Sequence, residues 1–281
     1  MSRMPISRRT TLAAALAAGT AGFHIGTARA DALSKAKSAG KLVIGTELHF
    51  APFHFSEGGK AVGLATDIFE QFGKDAGVAV EFMDLPWESV LPGLEAKRYD
   101  IVAGPATITK ARAERYRFSA PIADATVALL KKAGDNSIQK PSDIAGKQLG
   151  GGRATAQLAQ FQAYVATLPG TTPPIKEYVS FSEAYADLAA GRIAAVANSF
   201  PNLAYTAKLR PNVFALVEPP FGTKSYFGFL TRKDDSDCAP LMDALDASIG
   251  KMRTNGQLAE LQKKWFGVSF DVPAQAPEPA V

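Results

Sequence analysis

The sequence predicts an α/β fold, and two observations carry that prediction. Short apolar runs alternate with amphipathic helical stretches along most of the chain, the pattern of a largely parallel sheet covered by helices. The stretch from Asp100 to Arg112 compresses the pattern into one strand, one turn and one helix start. Asp100 to Gly104 reads as a buried strand ending in glycine. Thr107-Ile108-Thr109 then turns the chain, and Thr109 can cap a helix reaching about Arg117. Free backbone N–H groups and the positive end of the helix dipole meet at such a turn, which suits a bound anion. Arg112, near the first turn, adds a fork of donors matched to a carboxylate. The hydroxyls of Thr107 and Thr109 add polar contacts. An ordinary capped turn with a solvent-facing arginine is the alternative.

The elements follow in order. Lys41 to Thr46 reads as the first strand, and Glu47 to Phe53 as a loop with two aromatics. From Gly63 to Ala76 the spacing of Leu64, Ile68, Phe69, Phe72 and Ala76 predicts a helix with one apolar face, ended by Gly77. Val78 to Met83 is a second strand, and Trp87 to Ala96 a short helix with Val90, Leu91 and Leu94 inward. After the Asp100–Arg117 unit, Ala125 to Lys131 is an extended apolar run that opens a second α/β series. Gly146 to Gly150 leads into a Gly-rich loop through Thr155, followed by a helix to Leu168. That loop lacks phosphate-loop spacing, so ATP is not expected. Ser180 to Glu183 is a capping box, and its helix stops at Gly191. Ile193 to Ala197 is a buried strand that delivers Asn198 and Ser199 at its carboxyl end, where open α/β sheets place ligands. Val213 to Val217 and Ser225 to Arg232 are strands separated by the stiff Glu218-Pro219-Pro220. Helices over Asp237–Arg253 and Gln257–Trp265 close the fold. The Pro- and Ala-rich residues 269–281 are expected to be disordered.

Residues 1–30 read as an export signal: paired Arg8-Arg9, an apolar Leu/Ala/Gly run and a small-residue cleavage site at Ala28-Arg29-Ala30. The arginine pair resembles a twin-arginine signal; Thr11 stands where an aromatic is usual, so general secretory export stays open. The apolar run is short for a membrane span, and without a cysteine at the cleavage point no lipid anchor is expected. Removing the signal's four arginines from 31 basic residues leaves 27, matching the 27 acidic ones. That balance gives no electrostatic case for nucleic acid or an anionic membrane. Cys238, the only cysteine, can form no internal disulfide. His49 and His54 lie close in sequence, but two histidines in an aromatic loop fall short of a metal set, and no metal or cofactor is expected.

Several motifs, taken together, resemble one family. They are Gly63-Leu64-Ala65-Thr66-Asp67-Ile68, Leu85-Pro86-Trp87-Glu88-Ser89-Val90-Leu91-Pro92-Gly93-Leu94, Tyr99-Asp100, Thr107-Ile108-Thr109 with Arg112, Phe118-Ser119-Ala120-Pro121-Ile122, and Lys264-Trp265-Phe266-Gly267. In this order they are similar to the bacterial family 3 solute-binding proteins, the periplasmic polar-amino-acid receptors of ABC importers. The resemblance spans about residues 41–268. It implies a two-lobe periplasmic-binding-protein fold (type II), with lobes joined by two extended hinge strands that close on a ligand. Lobe 1 would comprise residues 31–125 and 219–268, and lobe 2 residues 126–218. It also implies a monomer that hands its ligand to a membrane permease.

The resemblance assigns site residues. Phe50 and Trp87 fall where the family places rings around the ligand side chain. Arg112 matches the clamp on the ligand carboxylate, with Thr107 beside it, and Gly104 would offer its carbonyl to the ammonium. Ala154, Thr155 and Ala156 match the second-lobe loop whose backbone meets the carboxylate on closure. Three departures stand out: Ser199, next to Asn198, occupies the position of the family's ammonium-binding aspartate; Pro105 replaces a small or polar residue; and Ala154-Thr155-Ala156 replaces Gly-Ser/Thr-Thr. Either Glu47 supplies the missing charge or the ligand lacks a free α-amine. The competing expectation is an enzyme on the same scaffold, a dehydratase for prephenate-like acids with Glu47 or Glu218 as its acid. A signalling ectodomain is disfavoured, because no membrane helix or kinase segment is visible.

Overall fold

The computed structural model describes residues 30–281, so the export signal expected over residues 1–30 lies almost wholly outside the described residues. Chain order begins with α1 (Ala32–Ala39), β1 (Lys41–Thr46), β2 (His49–Phe50), β3 (His54–Glu57), β4 (Lys60–Val62), α2 (Leu64–Ala76), β5 (Ala79–Asp84) and α3 (Trp87–Glu95). It continues through β6 (Val102–Thr107), α4 (Lys110–Arg115), β7 (Tyr116–Phe118), β8 (Ala123–Asp124), β9 (Val127–Lys132), β10 (Leu149–Gly152) and α5 (Ala156–Val165). The remainder is β11 (Lys176–Tyr178), α6 (Phe181–Ala189), β12 (Ala195–Ser199), α7 (Phe200–Leu209), β13 (Phe214–Val217), β14 (Tyr226–Arg232), α8 (Ala239–Thr254) and α9 (Gln257–Phe266).

The strands divide into two main sheets, which define two lobes. Lobe 1 holds the order β5-β1-β6-β14-β7, with β8 also paired to β14; lobe 2 holds β11-β10-β12-β9-β13. A three-stranded meander, β2-β3-β4, sits beside lobe 1 in the stretch the sequence presents as a loop. Neither main sheet is wholly parallel. β1 pairs in parallel with β5 and β6, but β14 runs antiparallel to β6, β7 and β8. In lobe 2, β9 runs antiparallel to both β12 and β13. The reason is connectivity: β9 and β14 enter their sheets directly from a crossing between lobes, without the helical crossover that parallel pairing needs.

The two crossings lie side by side. Ala125 N donates to Ser225 O at 2.9 Å, and Gly222 N to Val127 O at 3.0 Å. A β carbon at Gly222 would stand 2.8 Å from Val127 Cβ and its backbone nitrogen, so only glycine permits this approach. Asp124 ties the crossing further, accepting from Thr126 N at 2.6 Å and pairing with Lys224.

The helices form for the reasons their sequences give. The buried face of α2 is Leu64, Ala65, Ile68, Phe69 and Phe72, and Gly77 ends it in a left-handed conformation. Ser180 Oγ accepts from Glu183 N at the start of α6. Helix α7 was not expected from the sequence; Ser199 stands at its N-cap without a side-chain capping bond, and Pro201 lies in its first turn. The main core joins Ile44, Phe53, Ile68, Phe69, Phe229 and Leu245 in lobe 1 to Phe181, Ala184 and Val196 in lobe 2.

Residues 269–281 were expected to be disordered; the structure instead lays them along lobe 1 without regular secondary structure. Phe270 packs on Phe266 at 5.2 Å between ring centroids, and Arg253 donates to Pro273 O at 2.5 Å. Val281 O accepts from Lys110 N at 2.7 Å. Phe270 supplies apolar burial and Arg253 satisfies backbone carbonyls, two anchors that composition hides.

Candidate functional site

A cleft opens between the lobes, lined by Glu47, Phe50, Trp87, Gly104, Pro105, Ala106, Thr107 and Arg112 from one side, Phe227 on β14, and Thr155, Gln157 and Phe181 from lobe 2. The space is narrow in this structure, about 340 Å³ counted with the open mouth and the gaps between atoms.

The strand β6 organises it. Residues 102–107 are all buried, and the strand runs three residues past the Gly104 at which the apolar run ends. It hands over to α4 through Thr109, whose hydroxyl accepts from Arg112 N at 3.3 Å. That short cap turns Arg112 back over the strand end. Its Nη1 donates to Thr107 O at 3.2 Å, and the guanidinium lies 5.5 Å from the centre of the Trp87 ring. Part of the side chain faces the open cleft, yet surrounding protein desolvates it enough to lower its pKa to about 10. It remains a cation at neutral pH. No carboxylate pairs with it among the described residues. Beside it the buried Thr107 hydroxyl has no hydrogen-bond partner among the described residues.

Gly104 sits between Glu47 and Trp87. A β carbon there would stand 3.3 Å from the indole, tighter than most contacts, and 3.5 Å from Glu47 N, an ordinary one. Glu47 is buried. Burial foremost, and the charge of Asp84 second, push its pKa up to about 7. Asp84 itself is held by Leu48 N at 2.9 Å.

The walls are aromatic. Phe50 stacks on Phe53 at 5.6 Å, meets Phe227 edge-on at 5.7 Å, and reaches Phe181 of lobe 2 at 6.0 Å. Trp87 Nε1 donates across the cleft to Ala154 O at 3.2 Å. Ala154 carries a φ of +57°, the left-handed region that favours glycine. The Thr155 hydroxyl caps α5, accepting from Leu158 N at 3.1 Å and donating to Gly152 O at 2.7 Å. The cap leaves the backbone N–H groups of Ala156 and Gln157 without intrahelical partners at the cleft.

Of the residues singled out from sequence, Glu47, Phe50, Trp87, Gly104, Thr107, Arg112 and Thr155 line this cleft. Ala156 lies one residue on, at the start of α5. Ser199 and Asn198 do not line it. The Ser199 hydroxyl bonds the Asn202 side-chain oxygen, and Asn202 Nδ2 donates to Ala51 O at 2.7 Å. Asn198 Nδ2 donates to Tyr185 Oη at 3.1 Å and lines a second crevice, separated from the first by Phe50 and Phe181. Glu218, the other acid considered for an enzyme, is exposed and outside the cleft. His49 lines the second crevice, whereas His54 is buried with its Nδ1 against Thr46 Oγ1; no group of metal-binding side chains gathers among the described residues. Sequence reading missed Ala106, Gln157, Phe181 and Phe227. The capping box marks where Phe181 begins its helix, but which way the ring points depends on lobe packing.

Two α/β lobes with a small charged-and-aromatic cleft between them are the architecture of a hinged solute receptor. The family comparison agrees: residues 42–268 match the bacterial extracellular solute-binding proteins, family 3, and the chain belongs to that family. The L-cystine-binding protein TcyJ of Escherichia coli (strain K12) is 29% identical over 237 residues, 84% of this chain and 86% of that protein. Among solved structures, an ancestral arginine-binding protein bound to glutamine aligns with a TM-score of 0.72 at 31% identity, covering 81% of this chain and 98% of that one. The ancestral amino-acid-binding protein AncCDT-1, a precursor of cyclohexadienyl dehydratase, aligns with a TM-score of 0.73 at 28% identity, covering 84% of this chain and all of that one. These relatives are named as binding proteins, and this chain is a binding protein rather than an enzyme.

Proposed function

We propose that this protein captures an amino acid or closely related small carboxylate in the periplasm and delivers it, as a monomer, to the permease of an ABC importer. The single observation that carries the reading is Arg112, a desolvated cation facing the cleft with no acid paired to it among the described residues. A buried unpaired charge is costly, and a ligand carboxylate offsets that cost through two parallel hydrogen bonds. The unpartnered Thr107 hydroxyl stands ready as a further donor. The N–H groups at the start of α5 can complete the contact from lobe 2. Relatives named for cystine and arginine, and a structure holding glutamine, support the amino-acid class.

A thermal-shift screen of the mature chain against the common L-amino acids, L-cystine and small mono- and dicarboxylates tests this. A ligand at about a hundredfold excess over its dissociation constant should stabilise the protein by roughly 2.7 kcal/mol. No shift with any carboxylate would remove the reading. The dehydratase alternative predicts that prephenate is consumed, which incubation with the pure protein measures directly.

A further inference from the structure

We propose that Asn202, held in one orientation by Ser199, is a hinge-side tether that limits how far the two lobes swing apart. The tether works whatever the cleft binds, so it stands apart from the carboxylate reading.

Asn202 lies in the first turn of α7 in lobe 2 and is buried, as is Ser199 at the end of β12. Asn202 Nδ2 crosses to the other lobe and donates to Ala51 O, between β2 and β3, at 2.7 Å. Helix α7 meets the same meander again where Tyr205 approaches Phe55 on β3, with 6.3 Å between ring centroids. The contact is close to the pivot. Ser199 pairs with Val127 in the ladder of β12 and β9, and Phe200 N donates to Thr126 O at 2.8 Å. Thr126 and Val127 lie where the first crossing enters lobe 2. The bond from Trp87 meets lobe 2 at Ala154, just after β10, one strand further out in the sheet. For a given rotation about the crossings, that outer contact moves further and parts first. The Asn202 bond is left to check the swing.

Ser199 sets the polarity of the tether. A backbone carbonyl only accepts, so the Asn202 amide presents its nitrogen to Ala51 and turns its oxygen inward. That oxygen needs a donor, and the Ser199 hydroxyl supplies it. Ser199 is fixed in turn: its backbone nitrogen donates to Asn198 Oδ1 at 2.7 Å, and Asn198 Nδ2 donates to Tyr185 Oη. An aspartate at this position would reverse the arrangement. Its carboxylate accepts only, so it would draw the amide nitrogen to itself and leave two oxygens facing each other at Ala51. A serine here therefore has a task of its own, away from the ligand. A restricted swing keeps more of the population near the closed arrangement, which lowers the cost of closing on any ligand.

Small-angle scattering on the mature chain, unfolded and refolded to strip carried-over ligand, tests this. Asn202→Ala and Ser199→Asp should each give a larger radius of gyration than wild type, and Ser199→Ala a smaller increase. The chain carrying both Ser199→Ala and Asn202→Ala should open no further than Asn202→Ala alone, because Ser199 acts through Asn202. A serine with a merely structural role would add its own effect. A melting curve checks that each variant folds; if Asn202→Ala does not, Asn202→Asp, which turns an oxygen to Ala51, and the two Ser199 variants carry the same comparison. An unchanged radius in the Asn202 variants or in Ser199→Asp overturns the tether. Additive effects in the double variant overturn Ser199 as its positioning residue.

Discussion

The indole nitrogen of Trp87 in lobe 1 donates to the carbonyl oxygen of Ala154 in lobe 2 at 3.2 Å, so a wall of the cleft is also its latch. The same ring carries the Arg112 guanidinium on its face. The proposed carboxylate clamp and the contact between the lobes therefore share one side chain.

Trp87→Phe keeps an aromatic wall and removes only the cross-lobe donor. Ligand affinity should fall by about 2–10-fold, the equivalent of one ordinary hydrogen bond, with the melting temperature of the unliganded protein little changed. Calorimetry and melting together check it; undiminished affinity would show that the latch contributes nothing.

Ala154 holds a left-handed φ of +57° beside that carbonyl. Glycine adopts such a backbone freely, so Ala154→Gly should stabilise the closed form by about 0.5–1 kcal/mol. A urea titration of the ligand-saturated protein measures this. A lower midpoint than wild type would show that the loop is unstrained.

Arg112→Ala should abolish binding while leaving the fold intact, at a loss of about 2–5 kcal/mol for a broken buried charge pair. Arg112→Lys should also bind poorly, since an ammonium cannot reproduce the planar fork. An alanine variant with wild-type affinity would take Arg112 out of the site.

Stability of the unliganded protein should respond to pH through two buried groups that oppose each other. Glu47 keeps its proton up to about 7 when folded but loses it near 4.5 when unfolded, so it subtracts stability as pH rises between those values, by roughly 3 kcal/mol in all. His54 stays neutral down to about 3 when folded, because burial disfavours its charge, but gains a proton below 6.5 when unfolded. Its contribution is full above 6.5 and is lost as pH falls. The slopes cancel in part between pH 4.5 and 6.5. Glu47→Gln should unmask the histidine slope, so that the variant's denaturation midpoint climbs through that window and exceeds wild type at pH 8. Parallel curves for the two proteins would show that Glu47 titrates normally.

Closure predicts a change of shape. Small-angle scattering should give a smaller radius of gyration at ligand saturation than without ligand, as the lobes swing together about the paired crossings. Identical profiles would exclude a hinge.

Much of this was legible in the sequence because it is local. The apolar stripe of α2, the Thr109 cap and the arginine three residues later depend on near neighbours, and their motifs appear in order. What escaped was set by distance. Ser199 occupies a suggestive place in the chain, but Asn202, one turn on in α7, claims its hydroxyl. Phe181 becomes a wall only because the lobes bring it to Phe50. Residues 269–281 lack periodicity, and their anchors, Arg253 and Gln262, lie on earlier helices.

The order of strands in the chain differs from their order in the sheet. All five strands of the lobe 2 sheet lie within residues 127–217, an uninterrupted length of chain. In lobe 1, β14 lies between β6 and β7, yet it is the last strand of the chain to be made. Until residues 226–232 arrive, β6 exposes an unpaired edge, and β7 and β8 have no neighbour to join. In a chain made from its amino end, every strand of the inserted lobe is therefore present before β14 can cover the open edge of β6 in the Arg112-bearing lobe.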